Sequence, residues 1–139
     1  MEPLDLTQAP PRPPRAELAG IIFLPRSIDK LRASLPGGKL GEYTIAGFTE
    51  TMLNMFGIEL ADVMEAVRTS ETDADVAAFV TSHVHGDGIA RWHAYALARK
   101  PRGGNREEAL AAYPFLAGRD DIGISLDVLA EDDRHHFSR

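Results

Sequence analysis

The sequence predicts an all-α fold, a compact bundle of about six short helices behind an extended proline-rich arm. Apolar residues recur at three- and four-residue spacings in stretch after stretch, as in Leu60, Val63, Met64 and Val67. The stretches are punctuated by capping residues at their starts and by Gly or Pro at their ends. No two alternating segments stand ready to pair, and a lone strand would leave its hydrogen-bonding groups unmet.

The arm comes first. Pro10, Pro11, Pro13 and Pro14 hold residues 1–14 in extended or polyproline geometry, and residues 15–139 are expected to form one helical domain. Pro10, Pro13 and Arg15 also carry the PxxPxR spacing that SH3-type grooves accept; the alternative is that Leu4, Leu6 and the prolines pack along the body of the domain. Pro25 then breaks an apolar run, and Ser27 is placed to cap a helix with Ile28, Leu31 and Leu35 on one face. Asp29 would favour its first turn. Pro36, Gly37 and Gly38 stop it.

A second helix is expected over about 47–56, with Phe48, Met52, Met55 and Phe56 on its face and Gly57 as terminator. A third follows through Val67. Thr72 with Asp75 reads as a capping box for a fourth, ending near His83. Asp87 is placed to cap a fifth, on which Ile89, Trp92, His93 and Ala96 share a face until Lys100-Pro101. Asn105 with Glu108 repeats the capping signature for a short helix through Ala112. Residues 121–129 suit a strand or a helix equally by spacing, and helix is the choice because no strand is expected to pair with them.

Composition bounds the function. The chain has 139 residues, 15.2 kDa, no cysteine, 44% hydrophobic and 26% charged residues, which is the profile of an ordinary globular domain. Without cysteine there is no disulfide framework, thiolate metal site or thiol nucleophile. A net charge of −6 and a pI near 5.3 argue against a nucleic-acid backbone as main partner, which needs a basic face. The charge is uneven: residues 1–47 carry a balance of +1, and the remainder −7. No run of eighteen apolar residues or basic leader occurs, so the expectation is a soluble cytoplasmic protein with no membrane partner. Its oligomeric state is open.

Two strings bear on chemistry. His83-Val84-His85-Gly86-Asp87-Gly88 resembles the HxHxDH run of the metallo-β-lactamase fold. Gly88 stands where that pattern has its last histidine, the chain is too short for that fold, and the residues before it read as helix. A helix C-terminus, a Gly turn and an Asp cap account for the string, and no metal or cofactor is implied. Glu131, Asp132 and Asp133 lack the ligand spacing of a calcium loop and are expected to be a solvated tail.

The second string, residues 24–43, is more informative. Arg26 and Lys30 stand four apart, with Asp29 in reach of Arg26 or Arg32. Backbone N–H groups at residues 27–29, with the Gly37-Gly38 turn nearby, would cradle an anion that Arg26 and Lys30 neutralise. Lys39 lacks the Ser/Thr and spaced glycines of a Walker loop. The competing reading makes Arg26, Asp29 and Arg32 a structural ion network.

At these residues the chain resembles an uncharacterised bacterial domain-of-unknown-function family, through its LPRxxDKxRAxLPGGxxGEY motif. A Met/Phe-rich helix ending in Gly-Ile and a later Arg-Trp-His segment extend the resemblance over most of residues 14–133. The family's segment reads Trp-Asn where this chain has Trp92-His93, which weakens any shared catalytic role for His93. The resemblance implies a small helical cytoplasmic protein and supplies no reaction, cofactor or partner.

Three readings follow. The first is a non-catalytic binding module for a small anionic ligand or acidic peptide, using Arg26, Asp29, Lys30, Arg32, Gly37, Gly38 and Tyr43. The second is a small enzyme in which Tyr43 or His93, beside Trp92, transfers a proton while Arg26 clamps the substrate. The third is a structural dimer joined through Met52, Met55 and Phe56.

Overall fold

The computed structural model describes residues 1–138. It is mostly helical, with seven α-helices and one two-stranded sheet among the described residues. The sheet departs from the sequence reading. Strands β1 (Glu17–Leu18) and β2 (Ile21–Ile22) pair antiparallel, Glu17 opposite Ile22 and Leu18 opposite Ile21. Ala19 and Gly20 make the connection at φ 53° and 74°, the sign that tight two-residue hairpins require at both positions. Two residues per strand are too few for alternation to be read in the sequence.

Helix α1 (Leu24–Ala33) begins three residues before Ser27. Pro25 lies in its first turn, where a missing N–H breaks no helical bond, so proline starts the helix here. Phe23 is the residue before it, buried and held at φ 74°, an uncommon conformation for a non-glycine. The Ser27 N–H bonds Phe23 O at 2.9 Å, and its hydroxyl pairs with Thr49 at 2.9 Å. Ser27 therefore joins two helices instead of capping one.

The helices that follow are α2 (Phe48–Phe56), α3 (Leu60–Thr69), α4 (Asp73–His83), α5 (Gly88–Ala98), α6 (Arg106–Ala112) and α7 (Ser125–Phe137). Gly57 closes α2. Thr72 and Asp75 form the expected reciprocal box on α4, with bonds of 3.2 and 3.1 Å. Asn105 caps α6 through the Glu108 N–H. Asp87 accepts from the Arg91 side chain at 2.9 Å. At the end of the chain the helix reading holds from Ser125 on.

The chain divides into two compact units, Met1–His93 and Ala94–Arg139, with α5 crossing the division. In the first unit, α1 packs on α3, α4 and β1. Every residue from Ile21 to Lys30 is buried. Phe23, Phe48 and Trp92 meet edge to face at centroid separations of 5.5 to 6.1 Å, each pair adding about 0.5–1.5 kcal/mol beyond burial. Met52 and Phe56 are fully buried in this unit and present no surface.

The N-terminal residues lie against the same unit. Leu6 is buried, and Leu4 and Leu6 exchange backbone bonds of 3.0 and 2.8 Å with Lys39. In the second unit Ala109, Leu116, Ile122 and Val128 form a core edged by Leu110, Tyr113 and Phe115. The acidic run is not a solvated tail: Glu131 and Asp133 are buried, and Glu131 pairs with Arg119, Arg134 and His135 at 3.0 to 3.3 Å. No helix is long and apolar enough to cross a membrane.

Candidate functional site

Helix α1 carries Arg26, Asp29 and Lys30, all less than a tenth exposed. Burial of a charge is tolerated only with compensation, so the partners decide what each does. Asp29 takes its compensation from Arg12, in the proline arm. The Arg12 backbone N–H donates to one carboxylate oxygen at 2.8 Å, and its guanidinium reaches both oxygens at 2.9 to 3.2 Å. The same guanidinium donates to Asp73 at the start of α4 at 2.7 and 3.2 Å.

Arg12 thus ties the arm to two helices. Burial works to lower its pKa, but the hydrogen bonds to Asp73 and Asp29 outweigh that and hold it above its ordinary value. The sequence reading gave Asp29 to Arg26 or Arg32. Arg32 points elsewhere, its Nε donating to Glu2 O at 2.9 Å.

Arg26 and Lys30 lie on aromatic surface. The Arg26 guanidinium is 5.8 Å from the Phe23 ring centre and 5.5 Å from that of Tyr43, and Lys30 Nζ is 5.5 Å from Phe23. Arg26 also donates to Arg12 O at 3.4 Å. Such cation–ring contacts are worth about 0.5–2 kcal/mol, most when water is excluded. Phe23 is 0% exposed and Tyr43 is half-buried, so the cluster reaches the surface at Tyr43.

The backbone cradle expected for the anion is absent from its assigned place. Because α1 starts at Leu24, the N–H groups of residues 27–29 lie inside the helix, and that of Ser27 is already bonded. Gly38 N–H bonds Leu35 O at 2.8 Å. A Cβ at Gly38 would stand 2.5 Å from Ala33 O; glycine is there because the chain turns hard against the end of α1. Gly37 lies at φ 90° beside Pro3. The helix itself ends at Ala33 with Ser34 as its cap, and the two glycines make the turn that follows.

Trp92 and His93 grip one residue of β2. Trp92 Nε1 donates to Ile22 O at 2.8 Å, and His93 Nε2 accepts from the Ile22 N–H at 3.2 Å. The His93 proton therefore sits on Nδ1, and the Nε2 lone pair is in use. Of the other histidines, His83 bonds Phe79 O at 2.7 Å and stacks on the Phe79 ring, while His85 lies against Gly57. Among the described residues no three His, Asp or Glu converge to hold a metal ion.

Arg12, Asp73 and Thr49 escaped the sequence reading. Arg12 meets Asp29 and Asp73 across 17 and 61 positions, separations at which no local pattern signals a pair. Its flanking prolines were the one hint, since they fix the backbone that presents it.

The chain belongs to a family described as a domain of unknown function (DUF5069), whose model matches residues 8–135. That span includes Arg12, the whole of α1 and the Trp92-His93 pair. The resemblance drawn from the 24–43 motif is borne out at that level. No curated protein matches the chain.

Proposed function

We propose that the protein is a small binding module whose Arg26, Lys30 and Tyr43 receive the carboxylate or phosphate of a small anionic ligand. One observation carries this reading: two cations, 2% and 7% exposed, stand one helical turn apart on the same aromatic ring, and a half-buried tyrosine covers one of them. Away from bulk water a cation attracts an anion several-fold more strongly than on an open surface. Desolvated charges gathered on one face of this kind concentrate at binding sites. Tyr43 adds a hydroxyl at the surface side.

Asp29 belongs to the frame of this site. Its carboxylate is engaged by Arg12, which fixes the turn of α1 between Arg26 and Lys30. Catalysis receives less support, because the Nε2 of His93 is occupied by a backbone N–H and Tyr43 lies over a cation in a binding posture.

A thermal-shift screen against phosphate, citrate and an acidic peptide tests the reading with Lys30→Met and Tyr43→Phe beside the parent. A ligand at a hundred times its dissociation constant stabilises by about 2.7 kcal/mol, roughly 9 °C for a domain of this size. The shift should vanish in Lys30→Met while that variant melts no lower than the parent, since a well-packed apolar side chain replaces a buried charge at little cost. A Lys30→Met protein that unfolds, with no anion shifting the parent, would make the cluster a structural network.

A further inference from the structure

The chain between α5 and α6 reads Arg99-Lys100-Pro101-Arg102-Gly103-Gly104-Asn105-Arg106. Four of these eight residues are cationic in a protein of net charge −6. Arg12, Arg68, Arg91, Arg119 and Arg134 each rest on a carboxylate. Arg106 donates to Leu116 O at 2.9 Å. Arg99, Lys100 and Arg102 are different: all three are exposed, and among the described residues their side chains make no hydrogen bond or ion pair, the bonds they have being those of the backbone.

The backbone that presents these three cations is fixed. Pro101 opens two tight turns in succession, Gly103 N–H bonding Lys100 O at 3.2 Å and Asn105 N–H bonding Arg102 O at 3.2 Å. Arg99 O accepts from the Ser125 N–H at 2.8 Å. Arg102, Gly103 and Gly104 follow one another at φ 55°, 66° and 92°. Arg102 adopts this left-handed geometry without being glycine, a strain that persists only where the surroundings impose it. Beside the turn is a recess of about 310 Å³ lined by Tyr95, Ala98, Arg99, Lys100 and Gly103, at the lower end of the size range for small-molecule sites.

We infer that this recess binds the phosphate group of a small phosphate ester. Guanidinium groups match phosphate oxygens two at a time, and an ammonium adds a point charge. Arg99 and Lys100 line the recess, and two cations on one recess suit a dianion better than a single carboxylate. A long polyanion fits poorly, because Glu107 and Glu108 follow at the start of α6 and the whole chain is acidic. This site shares no residue with the Arg26 cluster and does not rest on it.

The test is an amide NMR titration of the full chain at fixed ionic strength with inorganic phosphate, glycerol 3-phosphate and a short DNA duplex. Saturable shifts confined to residues 95–104 with either small phosphate are expected. The ester should bind more tightly than the free ion if the recess takes the rest of the molecule. Arg99→Ala and Lys100→Ala should each weaken binding about tenfold, the loss of one charge-assisted bond. Lys30→Met should leave these shifts unchanged, which separates this site from the Arg26 cluster. Absence of saturable shifts at 95–104, unchanged binding in both variants, or tighter binding of DNA than of glycerol 3-phosphate would overturn the inference.

Discussion

Arg12 is a surface-reaching residue with a buried task. It is about a third exposed, yet the carboxylate it neutralises on Asp29 is 6% exposed. Removing it strands that charge. Arg12→Met should lower unfolding free energy by about 2 kcal/mol, somewhat less than for a wholly buried pair, measured by urea denaturation. Adding Asp29→Asn to Arg12→Met should restore part of the loss, because the stranded charge is then gone. Equal, additive losses would show that the two side chains are not coupled.

Gly38 gives a second residue-scale outcome. Gly38→Ala places a methyl 2.5 Å from Ala33 O, and the neighbour is backbone that cannot swing away. A loss of about 2 kcal/mol is expected, against almost none for Gly123→Ala, where nothing lies near a Cβ and φ is not positive. The sequence marked Gly37 and Gly38 as functional for a ligand. Their role in reversing the chain was equally legible, and the structure places them in the turn just after the Ser34 cap of α1.

Where local chemistry is sufficient, elements were readable. The capping box of α4 is the clearest case, because Thr72 and Asp75 satisfy each other's backbone groups. The Asp75 carboxyl is held below its ordinary 3.8 by the Thr72 backbone N–H, then by the Thr72 side chain and the Glu71 N–H. A lowered folded value means that its contribution is present above the ordinary value and lost as pH falls through the folded one. The protection of amides in the first turn of α4, relative to their intrinsic exchange rates, should therefore fall below about pH 4. Asp75→Asn should abolish that pH dependence, and an unchanged profile in the variant would assign the fraying to another group.

Elements set by tertiary context were not readable. The two-residue strands of the hairpin are shorter than any alternation, and their turn uses Ala19, where Asn or Gly is the usual signal. Ala19→Asn should raise stability by about 0.5 kcal/mol by easing the positive φ. The start of α1 was misplaced for a related reason. Pro25 both begins and ends helices in sequence terms, and only the burial of Phe23 and Leu24 on either side of the junction settles which.

At the scale of the whole molecule, the all-α expectation holds in its coarse form and acquires a small sheet. The helix-by-helix reading succeeded because each helix carries its own apolar face and stop. Of the proposed site, the nearness of Arg26 and Lys30 was legible because sequence spacing alone puts the two cations one turn apart. Arg32 was not separable from them, since three and four residues along a helix differ only in what the neighbouring segment offers. For Arg32 that neighbour is the backbone of Glu2, from the other end of the arm.

The central claim is that Arg26, Lys30 and Tyr43 form the anion site. An amide NMR titration of the full chain with citrate or phosphate, run on the parent and on Lys30→Met, measures it most directly. The account predicts saturable shifts at residues 23–30 and at Tyr43 in the parent, absent from a folded Lys30→Met protein. Shifts at those positions that persist in Lys30→Met, or none in the parent, would contradict it.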